Sequence, residues 1–190
     1  NVERLFFASS MYVYSDKGSF YTASKQATEI LIETFQKKKG LNFTILRYGS
    51  LYGERSQPWN GLRKYVKQAV TEKKIIYSGD GYEKREYIHV VDAAKSTAIA
   101  MKAEYENRCI TITGNQMLLM NDLFNIIAEI LDTNIDIIYQ NSTDSDHYSL
   151  TPYRYTPKTA HKIVPYEHID LGQGILTLIS EVLEEQHEDY

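Results

Sequence analysis

The sequence predicts an α/β fold built on a parallel sheet, and three consecutive segments carry this prediction. Leu5–Ala8 is a short apolar run of the kind that a buried parallel strand shows. Between Ala23 and Phe35, apolar residues recur at helical spacing. Asn42–Arg47 is a run of β-forming residues. A strand, a helix and a strand within about 50 residues form a βαβ unit, which implies parallel strands joined by a right-handed crossover.

Further elements follow along the chain. Short segments rich in β-forming residues predict strands at Ile75–Tyr77, Cys109–Thr113 and Ile135–Tyr139. Helical periodicity predicts four more helices, and we expect aspartate or asparagine to cap two of them because these side chains accept from free amides. The predicted helices are Gly61–Val70, a helix capped by Asp92 that extends to Met101, Asp122–Leu131 capped by Asn121, and Gly172–Glu185 with a frayed acidic tail.

Composition excludes several classes of protein. The chain has 190 residues, 43% of them hydrophobic, which can support a core and argues against disorder. A net charge of −4 without a basic block argues against a nucleic-acid partner. The single cysteine, Cys109, excludes an intramolecular disulfide and fits a reducing compartment, so we expect a cytoplasmic protein. No apolar stretch reaches the roughly 18–20 residues that cross a bilayer, so no membrane association is expected.

Tyr21 and Lys25 are candidate catalytic residues at the start of the first predicted helix. Their spacing places a phenol and an ammonium one turn apart on one face. A free phenol titrates near pH ~10, and a neighbouring cation favours the phenolate, so such a pair can take a proton from an alcohol and return it. With 16 tyrosines in the chain, one Tyr-x-x-x-Lys is expected by chance. The alternative is a surface pair on a helix.

Ser9 and Ser10 follow the first apolar strand. Hydroxyls at the carboxyl end of a parallel strand lie where open α/β sheets bind ligands. The alternative is that these serines serve only as loop or cap residues, as serine often does.

Four ordered motifs resemble one family. They resemble the extended short-chain dehydrogenase/reductases, and most closely the NAD-dependent epimerase/dehydratase group that acts on nucleotide sugars; the resemblance runs from Val2 to Leu183. The motifs are Ala8-Ser9-Ser10-x-x-Val13-Tyr14, Tyr21-x-x-x-Lys25, Leu46-Arg47-Tyr48-Gly49-Ser50-Leu51-Tyr52-Gly53, and Ser78-Gly79-Asp80-Gly81-x-x-x-Arg85-Glu86-Tyr87-Ile88-His89-Val90-x-Asp92.

The resemblance implies a partial Rossmann-type parallel sheet with a smaller α+β substrate-binding domain. Residues 1–48 and 90–104 would form the remainder of the Rossmann domain, and residues 49–89 and 105–190 the substrate-binding domain. The family opens with a strand, a Gly-x-x-Gly-x-x-Gly turn and a helix that holds the cofactor pyrophosphate. That motif does not occur in this sequence. We therefore expect the chain to be a fragment that binds NAD poorly unless the remaining part is supplied.

The resemblance also implies roles for named residues. Tyr21 would be the acid/base, Lys25 would favour its phenolate and bond the nicotinamide ribose, and Ser10 would hydrogen-bond the reacting hydroxyl of the substrate. Tyr48 and Ser50 would line the nicotinamide of NAD or NADP, although many family members have asparagine at the place of Ser50.

Arg85 matches the arginine that clamps the substrate diphosphate, since a guanidinium fork suits phosphate oxygens. The alternative is a surface ion pair with Glu83 or Glu86. A second arginine, which many sugar epimerases carry within 142–150, does not occur there, and Arg154 is out of register.

We interpret His89 as a packed structural histidine. No cluster of ligating residues has metal-site spacing, so no metal is expected.

Met11 and Tyr12 indicate which reaction to expect. The 4,6-dehydratase branch of the family carries Asp-Glu at these positions and the decarboxylase branch a glutamate at the second, whereas neither Met nor Tyr supplies that acid–base chemistry. Epimerisation or one-way ketoreduction of a sugar remains. By resemblance we also expect a homodimer formed through the helix Tyr21–Lys38. A second hypothesis is a catalytically silent member of the family with a binding or regulatory role.

Overall fold

The computed structural model describes residues 2–15, 17–140 and 161–188. Its strands are β1 Arg4–Ser10, β2 Asn42–Tyr48, β3 Ser50–Tyr52, β4 Lys74–Ser78, β5 Lys84–His89, β6 Arg108–Ile112, β7 Met117–Leu119, β8 Asp136–Gln140 and β9 His161–Lys162. Its α-helices are α1 Ser19–Lys39, α2 Gly61–Glu72, α3 Val90–Ala100, α4 Met120–Ile130 and α5 Leu171–Glu188. Short 3-10 helices cover Met11–Tyr14 and Ala103–Tyr105.

The main sheet is parallel and confirms the predicted α/β class. Its strand order is β1-β2-β6-β9. The register pairs Arg4 with Asn42 at one end of β1 and Ser10 with Tyr48 at the other, so these last two residues end their strands side by side. Strand β6 pairs with β2 in this sheet. The β1-β2 layer therefore continues into β6, beyond residue 105.

Two smaller sheets and three helices form the second layer. Strands β3, β5 and β7 make one sheet, and β4 pairs with β8 in parallel. The largest apolar cluster lies among these elements, and the most enclosed of its members come from α2, β4, α4 and α5, among them Val66, Ile75, Phe124, Ile127 and Leu178. This cluster fixes α2 and β4, which supply one wall of the cavity described below.

Helix α1 presents an unexpected face to the sheet. Its buried residues are Thr22, Glu29 and Ile32. The apolar residues whose spacing predicts the helix lie on the other side, where Ile30 and Leu31 are each 57% exposed and Phe35 is 53% exposed. The helix ends at Gly40 as predicted, with φ 69° and its N–H donating to the Gln36 carbonyl at 2.9 Å.

The caps of α3 and α4 differ from the prediction. His89 caps α3, since its Nδ1 accepts from the Val91 N–H at 3.3 Å. Asp92 lies within the first turn instead, and its Oδ2 accepts from the Ile169 N–H at 2.7 Å. Asn121 is likewise inside α4, whose N-cap residue Leu119 has no side-chain bond. Helix α5 continues to Glu188, beyond the predicted end.

Two expectations from composition can be compared with the structure. Cys109 is partly buried and packs against the cluster of Ile32, Phe43 and Ile45, in agreement with a place in the core. Within 2–15, 17–140 and 161–188, no helix combines the length and the apolar character needed to cross a membrane.

Candidate active site

A cavity of about 770 Å³ lies at the carboxyl ends of β1 and β2. Its wall includes five of the six residues that the sequence predicts as site residues, Ser10, Tyr21, Tyr48, Ser50 and Arg85. Lys25, the sixth, is not part of the wall. Parallel strands direct their carboxyl ends to one edge of the sheet, which explains why residues distant in sequence meet here.

Ser10 is the last residue of β1 and is buried. Its Oγ accepts from the Tyr12 N–H at 3.3 Å, which caps the 3-10 helix that follows. The capping function that the sequence offered as an alternative is thus present. It does not exclude the other function, because an accepting hydroxyl still has its own proton to donate.

Tyr21 and Lys25 occupy the first two turns of α1. The Tyr21 side chain is 51% exposed, and its ring meets the Tyr12 ring edge-on with the centroids 6.0 Å apart. Lys25 Nζ lies 5.6 Å from the centroid of the Tyr21 ring and donates to the Ala8 carbonyl at 2.9 Å. The ammonium is thereby held at β1, close to the phenol.

The residues present fit the nicotinamide end of NAD. An ammonium has three N–H donors, so Lys25 could donate to other acceptors, such as ribose hydroxyls, while it bonds Ala8. Ser50 adds a hydroxyl on the cavity wall. The backbone approaches closely at Gly49, whose N–H donates to the Ile112 carbonyl at 2.9 Å and where a Cβ would lie 2.5 Å from Thr113 Oγ1. Tyr48 lines the cavity but its hydroxyl is bonded to Thr97 Oγ1 at 2.6 Å.

An aromatic wall from α2 and β4 faces these residues. The rings of Tyr65 and Tyr77 meet edge-on at 5.8 Å, and both contact Phe124 behind them at 5.3 and 5.2 Å. Burial raises the pKa of both phenols, although the charge of Arg85 acts in the opposite direction. Tyr65 and Tyr77 are therefore neutral hydrogen-bonding groups at neutral pH rather than bases.

Arg85 lies on β5 and is buried, with Nη1 donating to the Lys84 carbonyl at 3.2 Å. The glutamates that the sequence offered as ion-pair partners have contacts of their own. Glu83 accepts from the Gly81 N–H at 2.9 Å, and Glu86 Oε2 lies 3.4 Å from Lys162 Nζ. The segment 142–150, where the second arginine was sought, lies outside the described residues.

A buried polar network behind the cavity was not predicted. Arg47 Nη2 and Nε donate to the two carboxylate oxygens of Glu29 at 2.8 and 3.1 Å. Ser9 Oγ donates to Glu29 Oε1 at 2.6 Å, and Arg47 Nη1 donates to the Tyr14 hydroxyl. Burial opposes the charge of Arg47, but its bonds to Glu29 prevail and its pKa is raised.

A signal for this network exists in the sequence. Arg47 is the one charged residue of a strand that the βαβ unit places inside the sheet. A charge at such a position requires a buried partner of opposite sign. The sequence does not show which acidic residue supplies it, because Glu29 is 18 residues away.

Comparison with known proteins identifies the family. The family model described as "NAD dependent epimerase/dehydratase family" matches residues 1–112, more than half of the chain. The chain belongs to this family. The match includes the segments that carry Ser10, Tyr21, Lys25, Tyr48, Ser50 and Arg85, and the family is by description NAD dependent.

Individual relatives are distant. A protein of Methanocaldococcus jannaschii with the provisional name UDP-glucose 4-epimerase is 26% identical over 163 residues, which are 84% of this chain and 52% of that protein. A UDP-glucuronate 4-epimerase of Thermodesulfobacterium geofontis is 25% identical over 126 residues, 66% of this chain and 39% of the relative. The chain therefore spans about half the length, or less, of these two relatives.

Solved structures show the same fold. The UDP-glucose 4-epimerase of Thermotoga maritima, crystallised with UDP-glucose, superposes with a TM-score of 0.81 at 21% identity and covers 98% of this chain, which corresponds to 65% of that one. The UDP-glucuronic acid 4-epimerase of Bacillus cereus, in complex with UDP-glucuronic acid and NAD, gives 0.78 at 18% identity, with 97% of this chain and 63% of that one covered. At these identities the likeness concerns the fold.

Proposed function

We propose that this chain forms the nicotinamide-binding and sugar-binding part of an NAD(P)-dependent epimerase or ketoreductase for nucleotide sugars. The observation that carries the proposal is the single cavity that Ser10, Tyr21, Ser50 and Arg85 line together, with Lys25 held beside Tyr21. The family match makes NAD chemistry the expected use of such a cavity. The proposed division of labour assigns the β1-α1-β2 unit to the cofactor and the second layer to the sugar.

The proposed reaction starts from a sugar hydroxyl bonded to Ser10. Tyr21, with the Lys25 ammonium beside it, removes the hydroxyl proton as the general base. NAD held by Lys25 and Ser50 would supply a reversible hydride acceptor for the same carbon, through which the sugar would become a ketone. Tyr21 gives the proton back to the oxygen in the return step. If the ketone has turned before the return, the product is the epimer. One-way ketoreduction would instead require a keto sugar from solution and NAD(P)H as the hydride donor, with Tyr21 giving the proton to the carbonyl oxygen.

Arg85 and the aromatic wall would hold the rest of the substrate. Its guanidinium can bond two diphosphate oxygens at once, and it lies on the same wall as Tyr65 and Tyr77. Both phenols are neutral and can donate to phosphate or sugar oxygens. Arg85 would thus hold the substrate by its diphosphate, while Ser10 and Tyr21 act on the sugar in the same cavity.

The proposed assembly is a homodimer formed through α1. Ile30, Leu31 and Phe35 make a stripe on the face that points away from the sheet. Large apolar side chains grouped on one exposed face are typical of protein contact sites. The inner face of the helix is already engaged by β1 and β2, so this stripe is free to meet a second copy.

The central test is Tyr21→Phe in the full-length protein, assayed with NAD or NADP and a panel of UDP-sugars and dTDP-sugars. Phenylalanine keeps the ring but removes the acid/base, so we expect turnover to fall at least about 100-fold while cofactor binding is retained. Tyr166→Phe, at a fully exposed ring, is the matched control and should leave turnover unchanged. Turnover that survives Tyr21→Phe contradicts the mechanism. An unmodified protein that binds cofactor and sugar but turns over none of the panel supports the silent family member instead.

A further inference from the structure

We propose that Glu29 and Arg47 are positioning residues that hold Ser10 and the Tyr21–Lys25 pair in register for the reaction. This inference rests on the proposed function. Neither residue lines the cavity, so neither can touch a substrate there. Their action would pass through the elements to which they are bonded.

The network joins each element that supplies a candidate catalytic residue. Glu29 belongs to α1 and lies one turn beyond Lys25 and two beyond Tyr21. Its Oε1 accepts from Ser9 Oγ at 2.6 Å, and Ser9 is the neighbour of Ser10 in β1. Any shift of α1 along β1 would therefore break a short, buried hydrogen bond one residue from Ser10.

Arg47 extends the same connection to β2 and to the 3-10 helix. It stands beside Tyr48, the last residue of β2, and opposite Ser9 in the register of the two strands. Its fork bonds both oxygens of Glu29, and its remaining terminal nitrogen bonds the Tyr14 hydroxyl. The guanidinium thus fixes the orientation of the Glu29 carboxylate toward Ser9 as well as the distance between α1 and β2.

Stability alone does not account for such an arrangement. Both side chains are at most 1% exposed, so both charges have lost their hydration. A buried ion pair of this kind is often no more stabilising than apolar residues of the same volume. Apolar contacts do not fix the relative orientation of two side chains. A bidentate ion pair does, because its two hydrogen bonds set both the distance and the angle between the groups. Catalysis requires that geometry, because a misplacement of about 1 Å can cost 100-fold in rate.

The test replaces every polar member of the network by an apolar one. The variant Ser9→Ala/Tyr14→Phe/Glu29→Leu/Arg47→Met removes both partners of each of the four hydrogen bonds described above, which costs less than leaving one partner buried and unpaired. The matched control, Arg63→Met/Glu181→Leu, removes the ion pairs of Arg63 with Glu181 and Glu185 between α2 and α5, and the bond from the Arg55 N–H to Glu181. Neither substituted residue lines the cavity. If the fourfold variant does not fold, Glu29→Gln, which keeps the shape of the side chain, replaces it in the same measurements.

Two measurements on full-length protein decide the outcome. We expect kcat to fall at least about tenfold in the network variant with KM for the sugar nearly unchanged, and no such split in the control. Amide hydrogen exchange should become faster in peptides covering residues 8–15 and 19–29, while exchange in α2 and α4 stays as in the unmodified protein.

The outcomes separate this proposal from the proposed function. Unchanged exchange in both segments overturns the positioning role, whether or not kcat falls. An unchanged kcat in a folded variant overturns it as well. If the unmodified protein turns over no sugar, the proposed function fails, and the exchange measurement alone decides whether the network positions these segments.

Discussion

His89 connects β5 to α3 with an imidazole that is only 5% exposed. Its Nδ1 accepts from the Val91 N–H, and its ring packs edge-on against Tyr52 with the centroids 5.3 Å apart. Its Nε2 is buried and has no hydrogen-bond partner within the described part of the chain. Burial lowers the pKa of His89, while the charges of Asp92 and Glu54 partly oppose that effect. These contacts agree with a structural histidine that stays neutral.

This environment predicts a pH-dependent stability. The unfolded chain takes up a proton on His89 near pH ~6.5, whereas the folded protein resists it, so the unfolded state binds more protons below that value. The contribution of neutral His89 to the free energy of unfolding is therefore fully present above about pH 6.5. It is lost as the pH falls toward the lowered pKa of His89 in the folded protein. We expect the melting temperature to fall between pH 7.5 and 5.5, and His89→Asn, which keeps an accepting cap, to reduce this fall. His168→Asn, at an exposed site, should leave it unchanged; equal slopes for both variants would contradict the assignment.

At the scale of elements, the start of α1 determines where Tyr21 stands. Gly18 caps the helix with φ 88°, in the left-handed region. A Cβ there would lie 2.4 Å from Thr22 Oγ1 and 2.6 Å from Tyr12 Cδ1. Thr22 has little freedom to yield, because its hydroxyl donates to the Lys17 carbonyl at 2.5 Å.

Gly40 at the other end of α1 provides a matched comparison. It also has a positive φ, 69°, but a Cβ there meets nothing within 4 Å. Gly40→Ala should lower the free energy of unfolding by about 1 kcal/mol, the usual cost of the left-handed conformation. Gly18→Ala adds overpacking and should lower it by roughly 2–4 kcal/mol. Urea unfolding of both variants measures the difference, and equal losses would show that Tyr12 and Thr22 accommodate the methyl group.

Sequence patterns predict the elements better than their ends. The β1-α1-β2 unit and the end of α1 at Gly40 follow from local periodicity and from glycine chemistry. Local patterns do not predict the cap of α3, because the capping residue is the one that keeps extended backbone angles at the junction with β5. That residue is His89, with φ −65° and ψ 141°, whereas Asp92 is already helical. Aspartate caps helices more often than histidine does. Asp92 nevertheless lies in the first turn, where its carboxylate accepts from the Ile169 N–H instead.

At the scale of the whole molecule, a site residue can be predicted when it belongs to a local sequence motif. Ser10, Tyr21 and Arg85 belong to recognisable motifs, and the parallel sheet explains how their segments converge on one cavity. The pairing of Glu29 with Arg47 depends on how α1 packs across β1 and β2, which no local pattern specifies. The same packing decides which face of α1 is outside.

The outer face of α1 leads to a prediction about assembly. Ile30, Leu31 and Phe35 are each more than half exposed, whereas the inner face buries Thr22 and Glu29 together with Ile32. A helix that places polar groups inward and large apolar groups outward is explained if a second molecule covers the outer face. Leu31→Glu should therefore place a charge in a self-complementary contact, where it would meet its own copy across a two-fold axis or lose its hydration.

We expect sedimentation equilibrium to show that the full-length protein is a dimer. The Leu31→Glu variant should sediment as a folded monomer. Leu183→Glu, at a 40% exposed leucine on α5, is the control and should leave the mass unchanged. If the unmodified protein is already monomeric, the apolar stripe has another use and the dimer proposal is wrong. If Leu31→Glu remains a dimer while Leu183→Glu dissociates, the contact lies on α5, and the inverted polarity of α1 then serves only its bonds to β1 and β2.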